Sequence, residues 1–244
     1  MKLLLSTFIV CLAYSICLLG AENQIEVGAL LIVAMGASIF AKKFGLMDRL
    51  GEAVNQHPLF PAVASVVGVL ITMAVFHNSH FALLMLATVL IYSIVCLGLN
   101  IQFGYVGIVN FAGAAFFGIG SYTAAVLATH TAVPHLLILV IAAIAAALIG
   151  SILIYPVLRT RGHYAALVTI AFGILFRNFL EVNDSLGGPQ GLKIPSLTIM
   201  GWNLSNGIEI AGIELSFYIP YLIISLLLLI ATFWLTRNLE RSWV

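Results

Sequence analysis

Charged side chains are scarce in this sequence. Ten Lys and Arg and 9 Asp and Glu stand among 244 residues, 8% of the chain, against 62% hydrophobic residues and a mean hydropathy of +1.15. A soluble domain keeps ionisable groups on its surface, typically about a quarter of its residues, so a soluble globular reading is excluded. The formal charge is only +1, and the basic residues fall in short loops, so there is no footprint for nucleic acid. Cysteine is equally sparse. Cys11, Cys17 and Cys96 are odd in number and all lie in apolar stretches, which fits packing residues and not a disulfide framework or a metal site. His77 and His80 are three apart with no third ligand nearby, which fits a solvated loop better than zinc.

Two further absences bear on mechanism. No Gly-x-x-x-x-Gly-Lys-Ser/Thr occurs anywhere in the chain, so there is no phosphate-binding loop. The apolar runs contain almost no ionisable residue except Arg177 and Glu181, four apart on one helical face, as an ion pair near the membrane surface would be. Proton-coupled carriers generally place Asp, Glu or His inside the membrane. Uphill transport by this chain would therefore draw energy from a separate ATPase. No nucleophile–base pair marks an enzyme, and no catalytic residue is assigned.

What the sequence does contain is apolar runs of membrane length. About 20 such residues cover a hydrocarbon core of about 30 Å, and the runs lie at 3–20, 26–41, 59–76, 81–99, 108–129, 134–157, 164–182 and 216–236. The expected fold is all-α, a polytopic transmembrane helical bundle of about eight spans. Eight of the ten basic residues (Lys2, Lys42, Lys43, Arg49, Arg159, Arg161, Arg237 and Arg241) then share one face. That face is the cytoplasmic one, and both termini lie on it. Residues 1–21 also admit a cleavable leader, although the apolar region is long and Leu19-Gly20-Ala21 is a poor cleavage site. Tyr14-Ser15-Ile16 before Cys17 does not suit a lipoprotein.

Small residues mark where membrane helices approach closely. Ala142, Ala146 and Gly150 form one ladder in the sixth span, with Ala143, Ala147 and Ser151 beside it. The fifth carries Ala114, Gly118, Ser121, Ala125 and Thr129. These two spans are expected inside the bundle, and the Leu-, Ile- and Phe-rich first and last spans toward lipid. Between them, residues 100–120 place Asn100, Gln102 and Asn110 among helix-breaking glycines. Irregular backbone at membrane depth needs protein or a wet cavity to satisfy it, as in a substrate pathway. The alternative is a short cytoplasmic turn with Asn110 capping the fifth helix. Residues 183–216, with Gly187-Gly188-Pro189-Gln190-Gly191, read as a long external connection suited to a docking partner.

Three blocks together resemble the permeases of branched-chain amino acid ABC importers. They are Gly98-Leu99-Asn100-Ile101-Gln102-Phe103-Gly104-Tyr105-Val106-Gly107 running on through Asn110-Phe111 to Ser121-Tyr122, then Leu158-Arg159-Thr160-Arg161-Gly162-His163-Tyr164 through Gly173, then Gly187-Gly188-Pro189-Gln190-Gly191-Leu192. Their order and spacing fit over residues 81–244, the permease core, whereas residues 1–80 look like variable leading helices. The resemblance implies a multi-pass subunit of the bacterial inner membrane that pairs with a related permease subunit. It also implies two cytoplasmic ABC ATPase subunits and a periplasmic substrate-binding protein. ATP is used by those partner subunits, and no cofactor is implied for this chain. Branched-chain amino acids are the implied substrate, with urea or short amides as the competitor. The family's Gly-Arg-Ala-like cytoplasmic coupling segment would begin near Val244, where the sequence stops, so that segment and the last helices are not expected in these residues.

A secondary transporter and a non-transporting assembly subunit are the rivals from other classes. Candidate pathway residues are Asn100, Gln102 and Asn110, joined by Tyr122 and Thr169 because each places a hydroxyl in an apolar helix. The competing role for each is a hydrogen bond between helices.

Overall fold

The computed structural model describes residues 1–105, 107, 110–159, 163–199, 202–204, 208–210 and 213–242. Residues 108 and 109, at the start of the expected fifth span, lie outside the described residues, as do 160–162, with Arg161, and 243–244. The helices are α1 (Lys2–Gly20), α2 (Gln24–Lys43), α3 (Leu46–Gln56), α4 (Phe60–Val75), α5 (His80–Asn100), α6 (Gly113–His130), α7 (His135–Arg159), α8 (His163–Val182) and α9 (Tyr218–Ser242). The fold is all-α and polytopic. Two short antiparallel ribbons interrupt the connection after α8: β1 (Thr198–Ile199) with β2 (Trp202–Asn203), and β3 (Ile208–Ile210) with β4 (Ile213–Leu215).

Each expected span coincides with a helix, but among the described residues six helices are long and apolar enough to cross a membrane alone, or seven if the bent pair α3–α4 counts as one. The shortfall from eight has a physical cause. α4 has 16 residues and rises only about 24 Å, whereas α6 has 18, enough to span, but is built of small and weakly polar residues. A second difference is α3, a helix where a loop between spans was expected.

The helices group into two units, Met1–Val89 with Ile208–Leu222, and Leu90–Gly207 with Ile223–Val244. In the first, Phe8 and Leu12 of α1 lie against Gly68 of α4, 3.4 and 3.7 Å from where its Cβ would stand. The Tyr14 hydroxyl donates to the Leu30 carbonyl of α2 at 3.3 Å. At the start of α5, His80 Nδ1 lies 2.9 Å from the buried Ser216 hydroxyl, and its ring stands edge-on to Phe217 at 5.2 Å. His80 is thus tied to the residues leading into α9, not free in solvent. Ala82, Leu83, Leu86 and Ala87 form the buried side of α5.

In the second unit α6 and α7 run in close contact. A Cβ on Gly120 would stand 3.9 Å from that of Ala146, and one on Gly150 would stand 3.5 Å from the Phe116 ring. The Ala142–Ala146–Gly150 ladder is therefore the seam with α6. The parallel ladder is not: Ala143, Ala147 and Ser151 are exposed, and the Ser151 hydroxyl returns to the Ala147 carbonyl at 2.8 Å. Among the described residues only one face of α7 is covered. The expected sorting also shifts at the other end. The supposedly lipid-facing last helix, α9, buries Ile219, Leu222, Ser225 and Leu226, whereas α2 buries none of its residues.

Candidate substrate pathway

α5 does not stop cleanly. It runs on from Asn100 into a π-helical turn, Ile101–Tyr105, a wider winding that recurs at functional sites. Beyond it the chain leaves helical geometry: Gly107 has a φ of 68°, and helix resumes only at Gly113. The fifth span thus begins five residues later than its apolar run, because Asn110 engages its neighbours in a turn instead.

The Asn110 carboxamide works at both ends. Its Nδ2 donates to Gln102 Oε1 at 2.6 Å, and its Oδ1 accepts from the Ala112 amide at 2.8 Å. The helix cap itself is Ala112, which has no side-chain cap bond, so Asn110 shapes the turn ahead of α6 and does not cap it. One residue on, the Phe111 amide donates to Thr169 Oγ1 of α8 at 3.1 Å, and that hydroxyl donates to the Ala166 carbonyl at 2.8 Å. Thr169 is 1% exposed and Ala112 is fully buried. Two backbone amides that have left the helix are thereby satisfied by side chains, as apolar surroundings require.

Three of the five candidate residues meet in this network: Gln102 and Asn110 directly, Thr169 through the Phe111 backbone. Asn100 lies on the last turn of α5, exposed, its Oδ1 3.4 Å from the Cβ position of Gly104. Tyr122 stands apart, nine residues into α6 and so about 14 Å along the helix from its start. It is half-buried, with no hydrogen-bond partner among the described residues.

Aromatic packing that the sequence reading did not single out surrounds the network. Phe116 of α6 lies 6.0 Å from Phe172 of α8, and Phe172 stacks at 6.4 Å on Phe176. Phe176 fills the space left by Gly118, where a Cβ would stand 2.6 Å from the ring. Phe172 and Phe176 are spaced i, i+4 on α8, which is the signal that could have found them. Leu99 closes on Gly113 in the same way, 3.1 Å from its Cβ position.

At the far end of α8, Arg177 Nε and Glu181 Oε1 form the expected i, i+4 ion pair at 2.7 Å, exposed to the surroundings. The Gly-Gly-Pro-Gln-Gly turn then folds back under the helix end. Gly188 is buried, its amide donating to the Asn183 carbonyl at 3.3 Å. Gly187 has a φ of 88°, and a Cβ there would collide with the backbone of Gly191 and Leu192, so this turn accepts no other residue at that position. Beyond it, Thr198 Oγ1 lies 3.0 Å from His135 Nδ1 at the start of α7.

The arrangement offers neutral amide and hydroxyl groups at a break in the helical backbone.

Residues 81–241 match the family described as the branched-chain amino acid transport system / permease component. The high-affinity branched-chain amino acid transport system permease protein LivM of Escherichia coli (strain K12) is 40% identical over 118 residues, 48% of this chain and 28% of that protein. The protein of the same name from Salmonella typhimurium (strain LT2) is 37% identical over 125 residues, 50% of this chain and 29% of its own length. The matched stretch thus spans less than a third of either relative. No solved structure matches the chain.

Proposed function

Because the chain belongs to the permease-component family of branched-chain amino acid transport systems, we propose that it is a membrane-spanning permease subunit of an ATP-driven importer for leucine, isoleucine and valine. It works in the bacterial inner membrane beside a related permease subunit. Two cytoplasmic ATPase subunits supply the energy, and a periplasmic binding protein delivers the substrate and largely sets its identity. The observation that carries this reading is the family match, which runs without interruption through the polar break, α6–α8 and the external turn.

Within that reading the break between α5 and α6 is the moving part of the pathway. One amide pair, Gln102 with Asn110, closes the π turn onto the segment that enters α6. A hydrogen bond of this kind contributes about 0.5–1.5 kcal/mol, small enough for nucleotide binding on a partner to open and close it. The outer turn, whose tight backbone only a glycine at position 187 allows, is the surface offered to the binding protein.

Labelled-leucine uptake into vesicles holding the complete transporter tests the reading. Uptake should require ATP, persist when ion gradients are collapsed and be displaced by isoleucine and valine. Urea as the better competitor would move the substrate class, and uptake that follows an ion gradient would sink the ABC reading. In the same vesicles Asn110→Leu should lower leucine uptake at least about tenfold, the equivalent of about 1.4 kcal/mol, while insertion and subunit assembly persist. Normal uptake by that variant would take Asn110 out of the pathway.

A further inference from the structure

α2 ends at Lys43, and the chain turns through Phe44 and Gly45 directly into α3. α3 then meets α4 at a bend of 100°, with Pro58 in the corner. α2 is long enough to cross the membrane alone, so the corner that follows its end at Lys43 stands at the bilayer surface, here on the face that the charge bias assigns to the cytoplasm. The 11 residues of α3 rise only about 17 Å, far short of a span.

α3 has two faces. Leu46, Leu50, Ala53 and Val54, at i, i+4, i+7 and i+8, are its half-buried side, and the helix packs on α1 and α2. Asp48, Glu52 and Asn55 are exposed at the middle of the opposite side. Arg49 lies on the border between the two, exposed, and Lys42 and Lys43 are exposed in the last turn of α2. The same corner leaves a set of large apolar groups uncovered. Phe40 is 62% exposed, Phe44 61% and Met47 57%, and the two rings lie 4.2 Å apart. Cations and uncovered apolar groups gathered at one end of a membrane-length helix match a lipid–water boundary, where long basic side chains reach the phosphates and apolar groups enter the acyl region. A soluble partner would meet the acidic outer side of α3, not this corner.

We propose that the α2–α3 corner binds anionic phospholipid headgroups through Lys42, Lys43 and Arg49, with Phe40, Phe44 and Met47 set among the acyl chains. The site lies in residues 1–80, ahead of the family match, and is independent of what the permease carries.

The test uses the full chain carrying Met47→Trp in vesicles of mixed phosphatidylcholine and phosphatidylglycerol, with bromine on the acyl chains of one lipid or the other. Emission is read as the difference from the parent chain. Brominated phosphatidylglycerol should quench the new tryptophan at least about twofold more than brominated phosphatidylcholine at equal mole fraction. Adding Lys42→Gln, Lys43→Gln and Arg49→Gln should abolish the preference while quenching by both lipids persists. Adding Asp48→Asn and Glu52→Gln instead should raise it, which decides the matter if the basic-residue variant fails to reconstitute. Equal quenching by the two lipids, or a preference that survives loss of the three cations or ignores loss of the acids, overturns the proposal. No quenching by either lipid puts the corner against a protein and overturns it as well.

Discussion

α2 and α7 are both long, apolar and free of internal charge, yet they keep different company. α2 has small residues of its own (Gly28, Ala29, Ala34, Gly36, Ala37, Ser38 and Ala41), yet it buries nothing and has open space at Gly28 and Gly36. α7 meets α6 along Ala142, Ala146 and Gly150 closely enough for Phe116 to fill the gap at Gly150. In lipid, apolarity does not by itself bring helices together, because the acyl chains are as apolar as leucine. Close approach through small residues, and the hydrogen bonds it permits, does. Small residues permit a joint, as on α7, but do not make one without a neighbour to meet, as α2 shows.

The sharpest way to break that contrast is Gly118→Leu. The added side chain has to displace the Phe176 ring, and overpacking of this kind destabilises by about 1–3 kcal/mol. The variant should lose its fold at a distinctly lower detergent or heat load than the parent, and an unchanged profile would show that α6–α8 contact does not limit stability. A smaller effect belongs to Thr169→Val, which keeps the side-chain shape but strands the Phe111 amide. About 1 kcal/mol is expected, with faster hydrogen exchange at the Phe111 amide as the local readout. If that amide exchanges as slowly as before, it has another partner. The smallest change should come from Gly36→Leu on α2, where nothing lies within 4 Å of the new Cβ. Stability should stay within about 0.5 kcal/mol of the parent, and a large loss there would mean that α2 is covered after all.

The polar break was visible in the sequence as Asn100, Gln102 and Asn110 among glycines, because polar groups have no other reason to interrupt an apolar run. Its geometry was not. Whether Asn110 caps a helix or shapes the turn before it depends on where Gln102 and Ala112 arrive, and only the π turn at Ile101–Tyr105 brings Gln102 within 2.6 Å. Thr169 was singled out as a hydroxyl in an apolar helix, but its acceptor role toward the Phe111 amide joins residues 58 apart in sequence. α3 was missed for a different reason. Its apolar residues are few, and runs of membrane length do not include a short amphipathic helix of 11 residues.

By itself the sequence determined that the chain is a membrane protein, roughly where its long apolar helices fall, and which residues break them. Hydropathy, charge bias and helix-breaking residues act locally and leave a local record. The tertiary structure alone decided which of two adjacent small-residue ladders on α7 meets α6, that α9 is more covered than α2, and which side chains satisfy the amides freed at the break. Those outcomes depend on the rotation of each helix about its axis. In an apolar solvent that rotation is set by the shape of the neighbouring helix and not by any residue's own preference for water.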